Sequence, residues 1–420
     1  MRPPRRIVIT GLGPISPNGL GVDAFWSSVR AGDTSAAGVV TRFDSSEMPS
    51  RLACEIRGFE PALYLRDAKK AGRMDRSVQY AVAAGRLALA DAGLRPEDLD
   101  PDRVGVVEGT SVSGLDNTLR EHRGFVSRGY SSIRPTQLVG AFAGGGSSEI
   151  ALDMQFFGQA TTITTACSAG NDALGYAARA IRDDVADVML AGATEAPIID
   201  GYYSIFASLG VMSRRNDAPG RAMRPFDRDR DGFVIGEGAT FLVLEELSHA
   251  LARGARIYAE WGGHGQATEA HHPVALHPEG RGTLRAVERA LFNAAMAPDQ
   301  IDYLNAHGSA TGTNDSVETA VFKKVFGRHA RRLAVNSTKP VTGHQMGATA
   351  AVEVAICALT LFHQVIPPTA NLENPAEGCD LDYVVGSARP FPVRAAMNVN
   401  AGFGGKNSAL ILTHYRGTDP

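Results

Sequence analysis

TTITTACSAGNDALGYAARAIRD, residues 161–183, has a counterpart later in the chain: RLAVNSTKPVTGHQMGATAAVEVAICALTLFHQ, residues 332–364. Each opens with a short run of strand-forming residues, turns through small and polar ones, and continues into an apolar helical pattern. A second pair flanks the first. SVQYAVAAGRLALADAGLRPEDLDPDRVGVVEGTS (77–111) and TLRAVERALFNAAMAPDQIDYLNAHGS (283–309) both run from a helix, with Val78, Ala81, Val82 and Leu89 on one face of the first, through a Pro-containing acidic link to a short strand ending in Gly and Ser. A third pair closes each half with strands: DVMLAGA and TFLVLEE in the first, AAMNVNAGFGG and SALILTH in the second. RRIVITGLG (5–13) opens the first half, and IYAEWGGHG (257–265) is its equivalent.

Strands alternating with helices predict mostly parallel sheets covered by helices. The chain therefore reads as an α/β protein made of duplicated βαβαβ-type halves, with two sheets and helices between and outside them. The halves are residues 1–255 and 256–420, meeting in ARGARIY (252–258). SRRNDAPGRAMRPFDRDRDGFVIGEG (213–238) reads as a long ordered loop. A duplication brings equivalent strand ends together, so that Cys167, His307 and His344 can share one pocket.

Composition narrows the function. The chain has 420 residues, a formal net charge of -3 and 44% hydrophobic residues. No basic block suits nucleic acid as a partner. No apolar run reaches membrane-spanning length: the best candidate, ATAAVEVAICALTLF (348–362), carries Glu353 in its middle and reads as a buried helix. The four cysteines lack metal-ligand spacing. They imply a reducing, cytoplasmic setting without a disulfide framework. GLGPISPNG (11–19) departs from the GxGxxG spacing of a dinucleotide site. DRDRDG (227–232) resembles the start of a calcium loop, but the twelfth position is Gly238.

Thr161 to Thr165 suit a buried strand, and Ser168 to Asn171 open the next helix. Cys167 thus sits on a tight turn at a helix N-terminus, where the dipole and free N–H groups favour a thiolate and an oxyanion. A buried structural cysteine fits the same turn. The second half bears on the choice. NAHGSATGTND (305–315) puts His307 just after an apolar strand, and KPVTGHQMG (339–347) puts Lys339 and His344 before a helix. NVNAGFGGKN (398–407) adds a Gly-rich turn around Phe403.

With TACSAG, NAHGSATGTND, KPVTGHQMGA, PPTANLENP and GFGG in that order, nearly the whole chain resembles a β-ketoacyl synthase, a condensing enzyme of the thiolase superfamily. The resemblance implies a thiolase fold layered α-β-α-β-α, a dimer, and a decarboxylative Claisen condensation. It implies that Cys167 takes an acyl chain from the phosphopantetheine arm of an acyl carrier protein. The Cys167 and Phe403 amides would hold the thioester oxyanion, with Phe403 also a gate. His307 and His344 would stabilise the enolate formed from a malonyl carrier protein. Lys339 would act electrostatically, paired with Glu318. No metal or bound cofactor is implied.

Carrier proteins are acidic. Lys69, Lys70 and Arg73 of DAKKAGRMDR (67–76), with Arg214 and Arg215, are therefore either a docking patch or simply an exposed basic surface. Val112 and Phe206 are expected to line the acyl pocket. HGSATGTND, AGATEAPI and Ala401 in NAGFGG sit nearer the ketosynthase (alpha) subunit of type II polyketide systems than fatty-acid synthases. The dimer partner is then a second copy or a chain-length-factor-like subunit. A homodimeric fatty-acid enzyme shares the same site residues. A thiolase would carry a second cysteine in the Gly-rich motif, and a scaffold subunit would lack Cys167. Thr349 and Lys406 depart from the family pattern.

Overall fold

The computed structural model describes residues 5–417. The first half runs β1 (Ile7–Ser16), α1 (Arg76–Ala92), β2 (Val104–Gly109), β3 (Ala160–Ile163), α2 (Ala169–Arg182), β4 (Val188–Glu195) and β5 (Gly238–Glu246). The second repeats it as β6 (Ala259–Thr268), α3 (Arg281–Asn293), β7 (Tyr303–Asn305), β8 (Ala334–Asn336), α4 (Thr349–His363), β9 (Ala395–Gly402) and β10 (Lys406–Thr413). The spatial orders match: β3-β2-β4-β5-β1 and β8-β7-β9-β10-β6. This is the duplicated thiolase-type α/β architecture.

Two expectations about the sheets need correction. They are mixed rather than mostly parallel, since β5 and β10 run antiparallel to both neighbours. The cause is plainest in the second half, where only residues 403–405 join β9 to β10. That length closes a hairpin and cannot make a parallel crossover. Nor are the two sheets separate: an antiparallel contact between β1 and β6, Val8 opposite Glu260 and Ile9 opposite Ala259, joins them edge to edge.

Three apolar cores define the layers. α2 and α4 share one core with residues of both sheets. α1 packs outside the first sheet and α3 outside the second. α1 starts where the Asp75 side chain accepts the Ser77 amide and stops at Gly93 in the left-handed conformation. Gly11 and Gly13 lie inside β1, against α1; a Cβ at either would overlap the carbonyl oxygens of Ala88 and Ala84. Gly263 and Gly265 make the same approach to Ala290 and Ala286 of α3. The opening glycines thus serve helix-on-sheet packing, in both repeats.

By length and composition Met346–His363 is apolar enough to span a membrane, which corrects the expectation about length; it is 89% buried inside the protein, as the central helix, in line with the reading of a buried helix. The loop 213–238 is ordered by its own charges. The Asp227 carboxylate accepts the amides of Asp229, Glu373 and Asn374 and pairs with Arg224 at 3.1 Å. β3 lies at a sheet edge and is half-buried, where the threonine run had suggested a buried strand.

Candidate active site

The turn after β3 places Cys167. Ala166 adopts φ 52°, a left-handed conformation that is strained for a residue with a Cβ, and Ala166–Ser168 form one tight turn before α2. The Ser168 hydroxyl ties this turn to the Lys406 carbonyl at 2.9 Å. Gly402 lets the Gly-rich turn approach: a Cβ there would stand 3.0 Å from the Cys167 amide nitrogen. Cys167 is 7% exposed, at the bottom of a cavity of about 320 Å³. His307, His344, Phe233, Met346 and Phe403 also line it.

His344 is fixed by its backbone. Its amide donates to Val234 O at 2.8 Å, and its carbonyl accepts the Gly236 amide at 2.8 Å. The ring meets the edge of Phe233 at 90°. Nε2 lies 3.4 Å from Cys167 Sγ, and Nδ1 lies 2.8 Å from Thr349 Oγ1. His307 follows β7. Its ring stands 5.5 Å from that of His344, centroid to centroid, at 82°.

Lys339 does not pair with Glu318. Its ammonium donates to Glu353 Oε1 at 2.5 Å and to the His307 carbonyl. Glu318 instead accepts the amides of His307 and Gly308 at 2.6 and 2.9 Å. The reason is geometric: the Glu318 carboxylate is saturated by the loop that follows β7, while Glu353 comes off α4 directly at the ammonium. Asn400 donates to the other Glu353 oxygen at 2.7 Å. Glu353 was visible in the sequence as a lone charge in an apolar helix. An ionised residue there needs a buried partner, and that signal could have named the pair.

Burial dominates the electrostatics. It pushes the Cys167 thiol up to about 12, against a smaller downward pull from Lys339. The expected thiolate is therefore a neutral thiol at rest, because desolvation outweighs the Lys339 charge and the backbone N–H at the turn. Burial, and then the Lys339 charge, hold His307 and His344 well below the usual histidine range. Burial raises Glu318 to about 8, against the two amides it accepts. The cavity thus holds a neutral thiol beside two neutral imidazoles. Such a set can exchange thioesters and donate hydrogen bonds to an oxyanion.

The other expected site residues are spread more widely. Phe206 does not line the cavity but stacks on Phe403, centroids 6.2 Å apart. Val112 does not line it either; its amide is held by Glu195, whose carboxylate also accepts the amides of Ser111 and Gly347. Arg215 is turned back to the Asp229 carbonyl at 2.6 Å, and Arg214 is exposed beside the cavity-lining Gly210–Val211 segment. Lys69, Lys70 and Arg73 are exposed, and the last two line a separate cavity with Glu149. Thr349, Phe233 and Met346 at the site carried no signal in the sequence beyond the departure at Thr349. Among the described residues, no cluster of three or more His, Cys, Asp or Glu is placed to hold a metal ion.

Comparison with known proteins agrees with this architecture. Residues 4–250 match the family model "Beta-ketoacyl synthase, N-terminal domain", and residues 258–373 match "Beta-ketoacyl synthase, C-terminal domain". The chain is 41% identical over 409 residues to 3-oxoacyl-[acyl-carrier-protein] synthase 2 of Coxiella burnetii, covering 97% of this chain and 98% of that one. It is 42% identical over 428 residues to the tetracenomycin polyketide synthase ketoacyl synthase alpha subunit of Streptomyces glaucescens, covering 99% and 98%. A solved structure of the ishigamide ketosynthase/chain length factor superposes with a TM-score of 0.91 at 36% identity, over 98% of this chain and 100% of that chain.

Proposed function

The chain belongs to the β-ketoacyl synthase family and is a condensing enzyme; from that premise we propose that it elongates a polyketide chain bound to an acyl carrier protein. The observation that carries the reading is the convergence of Cys167 and His344, 3.4 Å apart, with His307 in one cavity. Cys167 and the first half, residues 1–255, supply the nucleophile. The second half, residues 256–420, supplies both histidines and Lys339.

Cys167 sulfur attacks the acyl thioester on the phosphopantetheine arm. The carbon–sulfur bond to the arm breaks, and the proton of Cys167 ends on the departing thiol. The amides of Cys167 and Phe403 stabilise the oxyanion in between. Malonyl carrier protein then enters. Its carboxylate leaves as carbon dioxide, and the electron pair stays as an enolate whose oxygen is held by His307 and His344. The enolate carbon attacks acyl-Cys167. The β-ketoacyl chain leaves on the carrier, and Cys167 takes a proton from solvent. Lys339 holds the backbone of His307 and favours electron-rich intermediates nearby. No resident cofactor enters the cycle.

The polyketide reading is supported by the likeness to the tetracenomycin alpha subunit and to the ishigamide ketosynthase/chain length factor. The likeness to the Coxiella synthase supports the fatty-acid alternative. The partner is a second copy or a chain-length-factor-like subunit. β3 has no outer strand partner among the described residues, whereas β8 is covered by Asp382–Tyr383. Leu138, Phe142 and Phe157 are exposed in the segment leading to β3. An open edge beside apolar side chains favours such a partner. The described cysteines, all unpaired, suit a cytoplasmic enzyme.

The test is intact-protein mass after incubation with a panel of acyl carrier proteins, alone and with a co-expressed partner. One acyl increment on the wild type and none on Cys167→Ala is expected. The chain that loads best, and the product made with malonyl carrier protein, separate polyketide from fatty-acid elongation. No increment under any condition would remove the reading.

A further inference from the structure

A neutral imidazole carries one proton, and the partner of one ring nitrogen decides which nitrogen bears it. In His344, Nε2 faces Cys167 and Nδ1 faces the Thr349 hydroxyl at 2.8 Å. Thr349 is 1% exposed. A threonine in a helix commonly bonds back to the carbonyl four residues earlier. Here that carbonyl, of Gln345, accepts the Ala348 amide at 2.9 Å. The ring of His344 is the sole hydrogen-bond partner of the Thr349 hydroxyl among the described residues.

We infer that Thr349 is a positioning residue: its hydroxyl donates to His344 Nδ1 and so keeps the imidazole proton on Nε2, aimed at Cys167 and the cavity. The argument turns on what each arrangement leaves unpaired. If Thr349 donates, only lone pairs of its oxygen lack a partner. If it accepts, a buried O–H has none, which is the costlier omission. The same reasoning applies to His307, whose buried Nδ1 has no hydrogen-bond partner among the described residues. A lone pair is less costly there than an N–H, which puts the proton on Nε2. Both rings then supply a donor to one cavity.

The inference rests on the condensing reading and deepens it. Two donors suit an enolate oxygen. A protonated Nε2 cannot take the Cys167 proton, so the thioester exchange passes that proton to the departing thiol. Thr349 should therefore matter to decarboxylation more than to acyl loading.

The full-length protein, labelled with nitrogen-15 histidine, would be examined by long-range proton–nitrogen correlation at about pH 8, where an imidazole is neutral. A His344→Gln sample assigns the ring. The wild type and Thr349→Ser should show the proton on Nε2, and Thr349→Val should show a mixed or reversed tautomer. With malonyl carrier protein, release of carbon dioxide should fall roughly tenfold or more in Thr349→Val and recover in Thr349→Ser, while acyl loading of Cys167 changes by less than about threefold. A wild-type proton on Nδ1, or a Thr349→Val protein with unaltered spectrum and decarboxylation, overturns the assignment. If the tautomer shifts as expected but the wild type neither loads nor decarboxylates, Thr349 keeps its role and the condensing reading fails.

Discussion

Lys339 Nζ stands 2.5 Å from Glu353 Oε1, with both side chains wholly buried. The pair joins the His307 side of the cavity to the central helix α4, because the same ammonium also holds the His307 carbonyl. Removing one partner strands the other charge in the interior. Lys339→Met is expected to destabilise the fold by about 3–5 kcal/mol in urea unfolding. Glu318→Gln, which leaves Lys339 and Glu353 together, should cost clearly less. Equal losses would mean that Lys339 depends on Glu318 after all.

The two half-reactions should separate by residue. His307→Ala and His344→Ala remove donors from the enolate site and leave the thiol in place. Carbon dioxide release from malonyl carrier protein is expected to drop about 10²–10³-fold in each. Acyl loading, read by intact mass, should persist. Cys167→Ala should show the reverse: no loading, with decarboxylation retained. If either histidine variant loses both steps equally, in protein that keeps its wild-type melting temperature, the division of labour proposed here is wrong.

The raised thiol gives a pH signature. An ordinary cysteine titrates near 8.5, so its alkylation rate levels off above that pH. Burial pushes Cys167 up to about 12. Alkylation of Cys167 by iodoacetamide should therefore rise about tenfold per pH unit from pH 7 to 10 without levelling. A plateau near pH 8 or below, measured by mass on the Cys167 peptide, would show that the helix terminus and Lys339 outweigh burial.

The histidines act on stability in the opposite pH range. Their folded-state values lie well below 6.5, so the unfolded chain binds protons first as pH falls. Each then contributes stability that is present above about pH 6.5 and lost below it, with a slope of up to about 1.4 kcal/mol per unit. Glu195 and Glu318, raised to about 7 and about 8, lose stability as pH rises instead, so the comparison must be differential. His344→Asn should flatten the decline of unfolding free energy between pH 6.5 and 5 relative to wild type. An unchanged slope would mean that the buried His344 ring is charged in the folded protein.

The duplication, the turn bearing Cys167 and the two histidines were legible because each depends on a short local pattern: a strand run, a small-residue turn, a helix start. The antiparallel β5 was not, because the long connection 196–237 leaves its direction to packing; for β10 the three-residue turn 403–405 did carry the signal, and the alternation of strands and helices masked it. The Lys339–Glu353 pair escaped for a related reason. Glu318 and Glu353 are both acidic and both near the motif histidines in sequence, and only the direction in which α4 projects Glu353 selects between them. Thr349 stood out only as a departure, since a threonine at a helix start has many ordinary uses. Phe206 is set back from the cavity by Phe403, which stacks on it and itself lines the cavity, a relation that no local sequence pattern carries.

We further propose that an acidic carrier protein docks on basic side chains near the start of α1. Lys69, Lys70 and Arg73 lie in solvent on the short helix Ala68–Arg73, beside a second cavity separate from that of Cys167. Basic side chains there can steer an acidic carrier without touching its cargo, so they should act on encounter rather than chemistry. Arg73→Glu is expected to raise the apparent KM for a carrier-bound acyl chain by about tenfold at low salt, with kcat little changed. A small free thioester, which needs no docking, should load Cys167 at the wild-type rate. Added salt should shrink the difference between Arg73→Glu and wild type. If free and carrier-bound substrates lose equally, Arg73 supports the fold around α1 and the docking assignment falls.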